Sequence, residues 1–294
     1  MARLRFQLNR SRGVDVEKRS LFKSPDDLIT TVEDEFKQFF ERRSDWLNRH
    51  PEIPVGPPIP IQQICDPINT ILVLSPHPDD ELIGCGGAIV NLKRQNARIV
   101  VVQLTDGSAS LGLSGATDEL KRSVRLKEAV AVAKRLNFDD LHLWALADNK
   151  FEVREALIDR MAALLVAEKP DVVFVPFIND LHSDHVKTND LLARALQQSA
   201  LNTPIIFSYE TWAVVPPNCI CDTTGSFDDK ADALLLYPTA VRVVDYIHMC
   251  EYRDGYHHLK HFGTAGYAEA FYAVTTSEYL KLIQSELNRA NVHA

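Results

Sequence analysis

The sequence predicts an α/β fold: a Rossmann-like, mostly parallel sheet with helices on both faces, plus an N-terminal helical extension. Three observations predict it. Apolar runs at 71–75, 99–104, 140–146 and 171–175 have the length and continuity of buried strands. Amphipathic stretches at 118–136, 152–168 and 185–200 alternate with them at helical length. Strand–helix alternation of this kind brings successive strands into parallel register and covers the sheet on both sides.

Taken in order, residues 1–23 carry seven Lys or Arg and little periodicity, and read as an arm. Ser24-Pro25-Asp26-Asp27 is a helix start, with Ser as N-cap, Pro at the first helical position and acids in the first turn. Leu28, Val32, Phe36, Phe39 and Phe40 continue it to about Asn48. Pro51, Pro54, Pro57, Pro58 and Pro60 then exclude regular structure and read as a linker over the surface. The chain therefore divides into 1–69 (arm, helix and Pro-rich linker) and a main domain, 70–294. Within the latter, 204–209 is a further strand, 210–233 a long loop rich in Pro, Cys, Asp and Thr, and 240–257 a helix. Residues 269–275 fit either a late strand or the start of the last helix.

Composition narrows the function. Of 294 residues 46% are hydrophobic and 24% charged, as in a folded globular protein. Lys plus Arg is 32 and Asp plus Glu is 40, so the net charge is 32 − 40 = −8, which argues against nucleic acid as partner. Five cysteines, an odd number in a chain of this size, predict reduced thiols and a cytoplasmic protein. No signal-peptide core and no apolar run of membrane-spanning length is present, so no transmembrane segment is expected. Arm 1–23 is long enough to reach a neighbouring subunit, which leaves room for a homo-oligomer.

The chemistry concentrates in two segments. Ser75-Pro76-His77-Pro78-Asp79-Asp80-Glu81 follows the first apolar run, and Asn179 to His185 follows the run at 171–175. In an open parallel sheet both fall at the carboxyl edge, where ligands bind. Catalytic zinc takes three protein ligands, commonly His and carboxylate. His77, Asp80, His182, Asp184 and His185 are the candidates. His77-x-x-Asp80 lets one tight turn present both side chains to one ion, whereas Asp79 must point elsewhere and is placed to take a proton from water.

These two motifs together resemble the LmbE-like, or PIG-L, zinc-dependent N-deacetylases, which remove an acyl group, usually acetyl, from amino-sugar conjugates. Thr105-Asp106-Gly107, Arg125-x-x-Glu128 and Ala268-Glu269-Ala270-Phe271 extend the resemblance over about residues 70–275. It implies Zn2+ on His77, Asp80 and His185, Asp79 as general base, His182 beside the reacting carbonyl with Asp184 orienting it, and Arg125 on the substrate. The ligand set accepts other divalent ions as well. The implied reaction is hydrolysis of an N-acyl amino-sugar conjugate by metal-activated water. Where relatives carry Ser-Gln near the end, this chain has Glu251-Tyr252-Arg253-Asp254, so the substrate side of the pocket is expected to differ.

Two other classes of protein call for different residues. A metal- or sugar-binding module without turnover needs neither Asp79 nor His182. A nucleotide-binding doubly wound protein needs a glycine fingerprint, and Gly84-Cys85-Gly86-Gly87 lacks that spacing and follows an acidic loop. Those glycines read as close packing of a helix on the sheet. Cys219-Ile220-Cys221 reads as ordinary loop residues. His257, His258 and His261 read as a pocket mouth or surface cluster. Trp144, Trp212 and Tyr252–Tyr256 fit sugar stacking or core packing equally.

Overall fold

The structure is a computed structural model and describes residues 57–180 and 182–290, without the side chains of 289 and 290. The arm 1–23, the helix expected from 24 to about 48 and the first two prolines of the run, Pro51 and Pro54, lie outside the described residues. Among the described residues there are eight strands: β1 (Ile59–Pro60), β2 (Thr70–Ser75), β3 (Arg98–Thr105), β4 (Asp140–Leu146), β5 (Val172–Pro176), β6 (Ile205–Tyr209), β7 (Cys219–Asp222) and β8 (Ala268–Thr275). The helices are α1 (Ile61–Ile64), α2 (Asp80–Arg94), α3 (Asp118–Leu136), α4 (Glu155–Glu168), α5 (Ser183–Ser199), α6 (Phe227–Leu234), α7 (Pro238–Val241), α8 (Tyr246–Phe262) and α9 (Thr276–Ala290).

The strands form one sheet in the order β1-β7-β8-β6-β5-β2-β3-β4. All pairings are parallel except those of β8, which is antiparallel to both β6 and β7. Each central strand is apolar on both sides because each side is covered. Leu72 and Leu74 of β2 enter the layer formed with α4, α5 and α9. Ile71 and Val73 enter the opposite layer, with α1 and α2. A third cluster packs α2 against α3, α6 and α8 through Leu82, Val132, Leu234 and Cys250.

Three expectations are corrected. Pro60 is not confined to a linker: Ile59–Pro60 pairs with Cys219–Ile220 at the edge of the sheet, where the amide that proline lacks is not needed by a second neighbour. The stretch 210–233 is not one loop, since it holds β7 and α6. Its four-residue strand is too short to stand out from its polar surroundings. The helix at 240–257 is two pieces, α7 with Pro238 at its first position and α8 opened by Asp245, whose side chain accepts from the His248 amide at 3.2 Å. Residues 269–275 resolve as strand β8, and the last helix begins after it. Thr275 and Glu278 cap that helix reciprocally, Thr275 N–H donating to Glu278 Oε2 at 2.8 Å.

The chain order places the site. From β2 it moves outward to β3 and β4, then returns to the other side of β2 as β5. The loops after β2 and β5 therefore diverge above adjacent strands. That topological switch point is where parallel sheets open a crevice, and it brings together two motifs about a hundred residues apart.

Candidate metal centre

His77 and Asp80 come from the turn between β2 and α2, and His185 from the first turn of α5. His77 Nδ1 lies 3.1 Å from Asp80 Oδ2, Asp80 Oδ2 lies 3.2 Å from His185 Nε2, and His185 Nε2 lies 3.3 Å from His77 Nδ1. Ligands about 2.0–2.1 Å from zinc at tetrahedral corners are about 3.3–3.4 Å apart. The three donors form a triangle of nearly that edge and fit a zinc ion. His77 also belongs to wider donor groups, one with His182 and His185 and one with Asp148 and Asp184.

The electrostatics agree with a cation site. Burial works against charge on His77, but Asp148, Asp184 and Asp80 outweigh it and raise the imidazole well above its usual range. His185 is likewise opposed by burial but raised to about 9 by Asp80 and Asp180. Burial alone would push Asp80 up, yet the two histidines hold it far below the usual carboxylate range. Without metal the centre draws protons onto both imidazoles.

The outward nitrogens of the histidines are held too. His185 Nδ1 faces Asp180 Oδ1 at 3.3 Å and Thr211 Oγ1 at 3.2 Å. The other Asp180 oxygen accepts from Thr211 Oγ1 at 2.6 Å and from the Trp212 amide at 3.1 Å. Hydrogen bonds accepted by Asp180, with the charge of His185, overcome its burial and lower it to about 2. His77 Nε2 lies 3.4 Å from both Asp148 Oδ1 and Asp184 Oδ2. Carboxylates behind metal-binding imidazoles fix ring orientation and tautomer. Sequence reasoning missed Asp148, Asp180 and Thr211. Asp180 had a signal, two residues before His182 in the same acidic segment. Asp148 and Thr211 had none, arriving from the loops after β4 and β6.

Asp79 stands beside the triangle, as the turn requires. Its backbone is at φ 128° and ψ −28°, a conformation few residues with a side chain adopt. Leu82 and Ile83 donate to its carbonyl at 2.9 and 3.0 Å, and its own amide donates to Glu81 Oε2 at 3.2 Å. Glu81 is fully buried and also accepts from Ser75 Oγ and Tyr237 Oη, each at 2.7 Å. Burial raises the Asp79 carboxyl to about 7; Arg125 opposes that and Asp80 and Glu81 reinforce it.

His182 caps α5, and its Nδ1 accepts the Asp184 amide at 3.3 Å. In the neutral ring this leaves the proton on Nε2. Burial and the neighbouring His77 and His185 lower its pKa, so neutrality is favoured. The carboxylate of Asp184 does not turn to His182 as expected. It accepts from the Asn149 amide at 2.8 Å and approaches His77, because its position in the first turn of α5 points it towards the loop after β4. Its backbone amide donates to the His182 ring.

Arg125 pairs with Glu128, Nη1 to Oε2 at 3.2 Å, in the interior. It is 3% exposed and lies under the Asp79 turn. Gly84, Gly86 and Gly87 do mark close packing: a Cβ on Gly84 would fall 2.0 Å from the Tyr209 ring. Cys219 and Cys221 are buried strand residues. His257 pairs with Glu210 at 2.9 Å and His258 with the Thr264 carbonyl at 2.8 Å. Trp144 is core, under Arg160, whereas Trp212 is 46% exposed beside the centre, next to Tyr246.

Fold and site define a class: α/β proteins that gather imidazoles and carboxylates into a cation centre at the switch point of a parallel sheet. Residues 72–196 match the PIG-L family model, described as GlcNAc-PI de-N-acetylase, so this stretch of the chain carries a domain similar to that family. A curated relative, named "Probable N-acetyl-alpha-D-glucosaminyl L-malate deacetylase 2" of Bacillus subtilis (strain 168), is 29% identical over 43% of this chain and 60% of its own length. The chain thus spans less than two thirds of that relative. The N,N'-diacetylchitobiose deacetylase of Pyrococcus horikoshii superposes with a TM-score of 0.64 at 22% identity, over 82% of this chain and 94% of its own. The 4-carboxy-2-hydroxymuconate hydratase GalB of Pseudomonas putida KT2440 does so with 0.63 at 20%, over 70% and 96%. These two neighbours carry different activities, so the shared fold does not name the reaction.

Proposed function

We propose that this protein is a zinc-dependent hydrolase that removes an N-acyl group, acetyl in the simplest case, from an amino-sugar conjugate. The observation that carries this reading is the triangle of His77, Asp80 and His185 with the Asp79 carboxyl beside it and outside it. The deacetylase names of the relatives support the reaction and the substrate class. Bound zinc supplies Lewis-acid polarisation and makes water a better nucleophile near neutral pH.

The chain's own groups do the rest. Asp79, raised towards neutrality by burial, accepts the proton of the attacking water and can return it to the departing amine. Neutral His182 carries its proton on Nε2 and offers it to the oxygen on which charge develops. Trp212, half in solvent beside the centre, is a flat surface for a sugar ring.

Five free cysteines support a reducing, cytoplasmic setting, and among the described residues no helix is long and apolar enough to cross a membrane. We take 70–294 as the catalytic domain. The test is zinc content, followed by amine release from N-acetylglucosamine conjugates with and without chelator. Zinc-bearing protein with chelator-sensitive release is expected. Absence of zinc together with indifference to chelator would overturn the reading.

A further inference from the structure

Glu81 has no place in the metal triangle or in the reaction, yet it is fully buried. The reason lies in the cap of α2. Asp79 stands at the N-cap, where an Asp side chain ordinarily accepts from the amides of the first turn. Here it makes no capping bond. The amides of Leu82 and Ile83 donate to its carbonyl instead, and its carboxyl meets Arg125 Nη2 at 2.9 Å. Glu81 takes up the other half of the cap. From the second helical position it reaches back, and its Oε2 accepts the Asp79 amide at 3.2 Å, as the acid of a capping box does from the third position. The same oxygen lies 2.7 Å from Ser75 Oγ, which lies 2.6 Å from the carbonyl of His77. The other oxygen accepts from Tyr237 Oη at 2.7 Å, and Tyr237 Oη accepts from Gln103 Nε2 at 2.8 Å. Ser75, Gln103 and Tyr237 are all buried. Through them Glu81 joins the turn to β2, to β3 and to the N-cap of α7.

We propose that Glu81 is a positioning residue for the general base: its buried carboxylate holds the Asp79 amide in the φ 128° turn, which keeps the Asp79 carboxyl out of the cap and available to the attacking water. This rests on the hydrolase reading above. A strained backbone persists only where its surroundings over-determine it. Glu81 meets that need, because a buried hydroxyl from a different element lies at hydrogen-bond distance from each of its oxygens. The third acid of the motif thus serves the first, while the second faces the metal.

The test is steady-state kinetics on N-acetylglucosamine conjugates, with zinc content and unfolding midpoint measured alongside. Glu81→Met keeps the length of the side chain and removes both acceptors. Its kcat is expected to fall by roughly 10²-fold, the order associated with a misplaced reacting group, with KM and zinc content unchanged. Glu81→Gln keeps an acceptor for the Asp79 amide and can donate to Tyr237 Oη, so it should recover most of that loss, to within about 3–10-fold of wild type. Tyr237→Phe keeps the ring and removes one bond to Glu81, and its kcat is expected to fall by about 3–10-fold with KM unchanged, about the effect of one such bond. If Glu81→Met fails to fold, Tyr237→Phe decides. Zinc lost in step with kcat would mean that Glu81 holds the ligands rather than the base, and would overturn the inference. So would a rise in KM with kcat retained, or a lowered midpoint with kcat and KM unmoved, the signature of a merely structural role. Wild-type protein inactive on every such conjugate would overturn the hydrolase reading and this inference with it; active wild type leaves the variants to judge the inference alone.

Discussion

Asp79 combines a chemical task with an unfavourable backbone, at φ 128°. Strain of this kind is worth about 1–3 kcal/mol, against about 0.5–1 kcal/mol for the extra freedom glycine has when unfolded. Asp79→Gly is therefore expected to melt higher than Asp79→Ala, by differential scanning calorimetry. Both should retain zinc and lose about 10²–10⁴-fold in kcat; an active Asp79→Ala would contradict the assignment. His185 gives a pH signature. Its metal-free pKa is raised from 6.5 to about 9, so it contributes stability that is complete below 6.5 and is lost as pH rises through about 9. The metal-free protein is expected to lose Tm across that interval. Zinc requires neutral imidazoles, so the Tm gained on adding zinc should grow across it, and a gain that shrinks would count against these ligands. At this scale His77, Asp80 and His185 were legible because their spacing follows from one turn and one helix start. The surroundings of Glu81 were not, because Gln103 and Tyr237 come to it from segments unrelated in sequence.

Helix α2 is two helices joined at Cys85, which has φ −145° and ψ 20°. The break leaves backbone groups to be satisfied on both sides. The Ile83 carbonyl accepts from Lys230 Nζ at 3.3 Å and from Arg253 Nη2 at 2.5 Å, and the amides of Gly87 and Ala88 donate to Glu269, each at 2.8 Å. Lys230, fully buried, also pairs with Asp254 and Glu269, each at 2.7 Å. Breaking one side of a buried pair costs about 3–5 kcal/mol. Glu269→Ala is expected to lose about that much by urea unfolding, and Glu269→Gln, which keeps an acceptor for one amide, less. Equal losses would show that the amides do not depend on this side chain. Arg253 and Asp254 close this buried clamp on α2. No periodicity announces that clamp. Its members come from α6, α8 and β8, and α6 lay in a stretch whose polar composition concealed it. The central strands were legible because burial on both faces makes them continuously apolar.

At the scale of the molecule, the switch point was legible once the strands were, since alternation implies parallel order. The antiparallel β8 between β6 and β7 was not, because nothing local distinguishes an inserted strand. The same topology has a consequence in time. Ile71 pairs with Val172, so β2 and β5 meet only after the intervening chain has closed a separation of 172 − 71 = 101 residues. His77 follows β2 and His185 lies in the helix after β5, so no partly folded chain holding β2 without β5 can present both. A ligand set assembled after the folding barrier leaves the refolding rate unchanged and slows unfolding instead. Zinc at about a hundred times its dissociation constant stabilises by about 2.7 kcal/mol, which corresponds to roughly 10²-fold slower unfolding at constant refolding rate by stopped-flow. Zinc-accelerated refolding would place the assembly of the two loops before the barrier. On this topology a bound ion would be a lock applied to a finished sheet, and a cell lacking that ion would make the protein at its usual rate but keep each copy for less time.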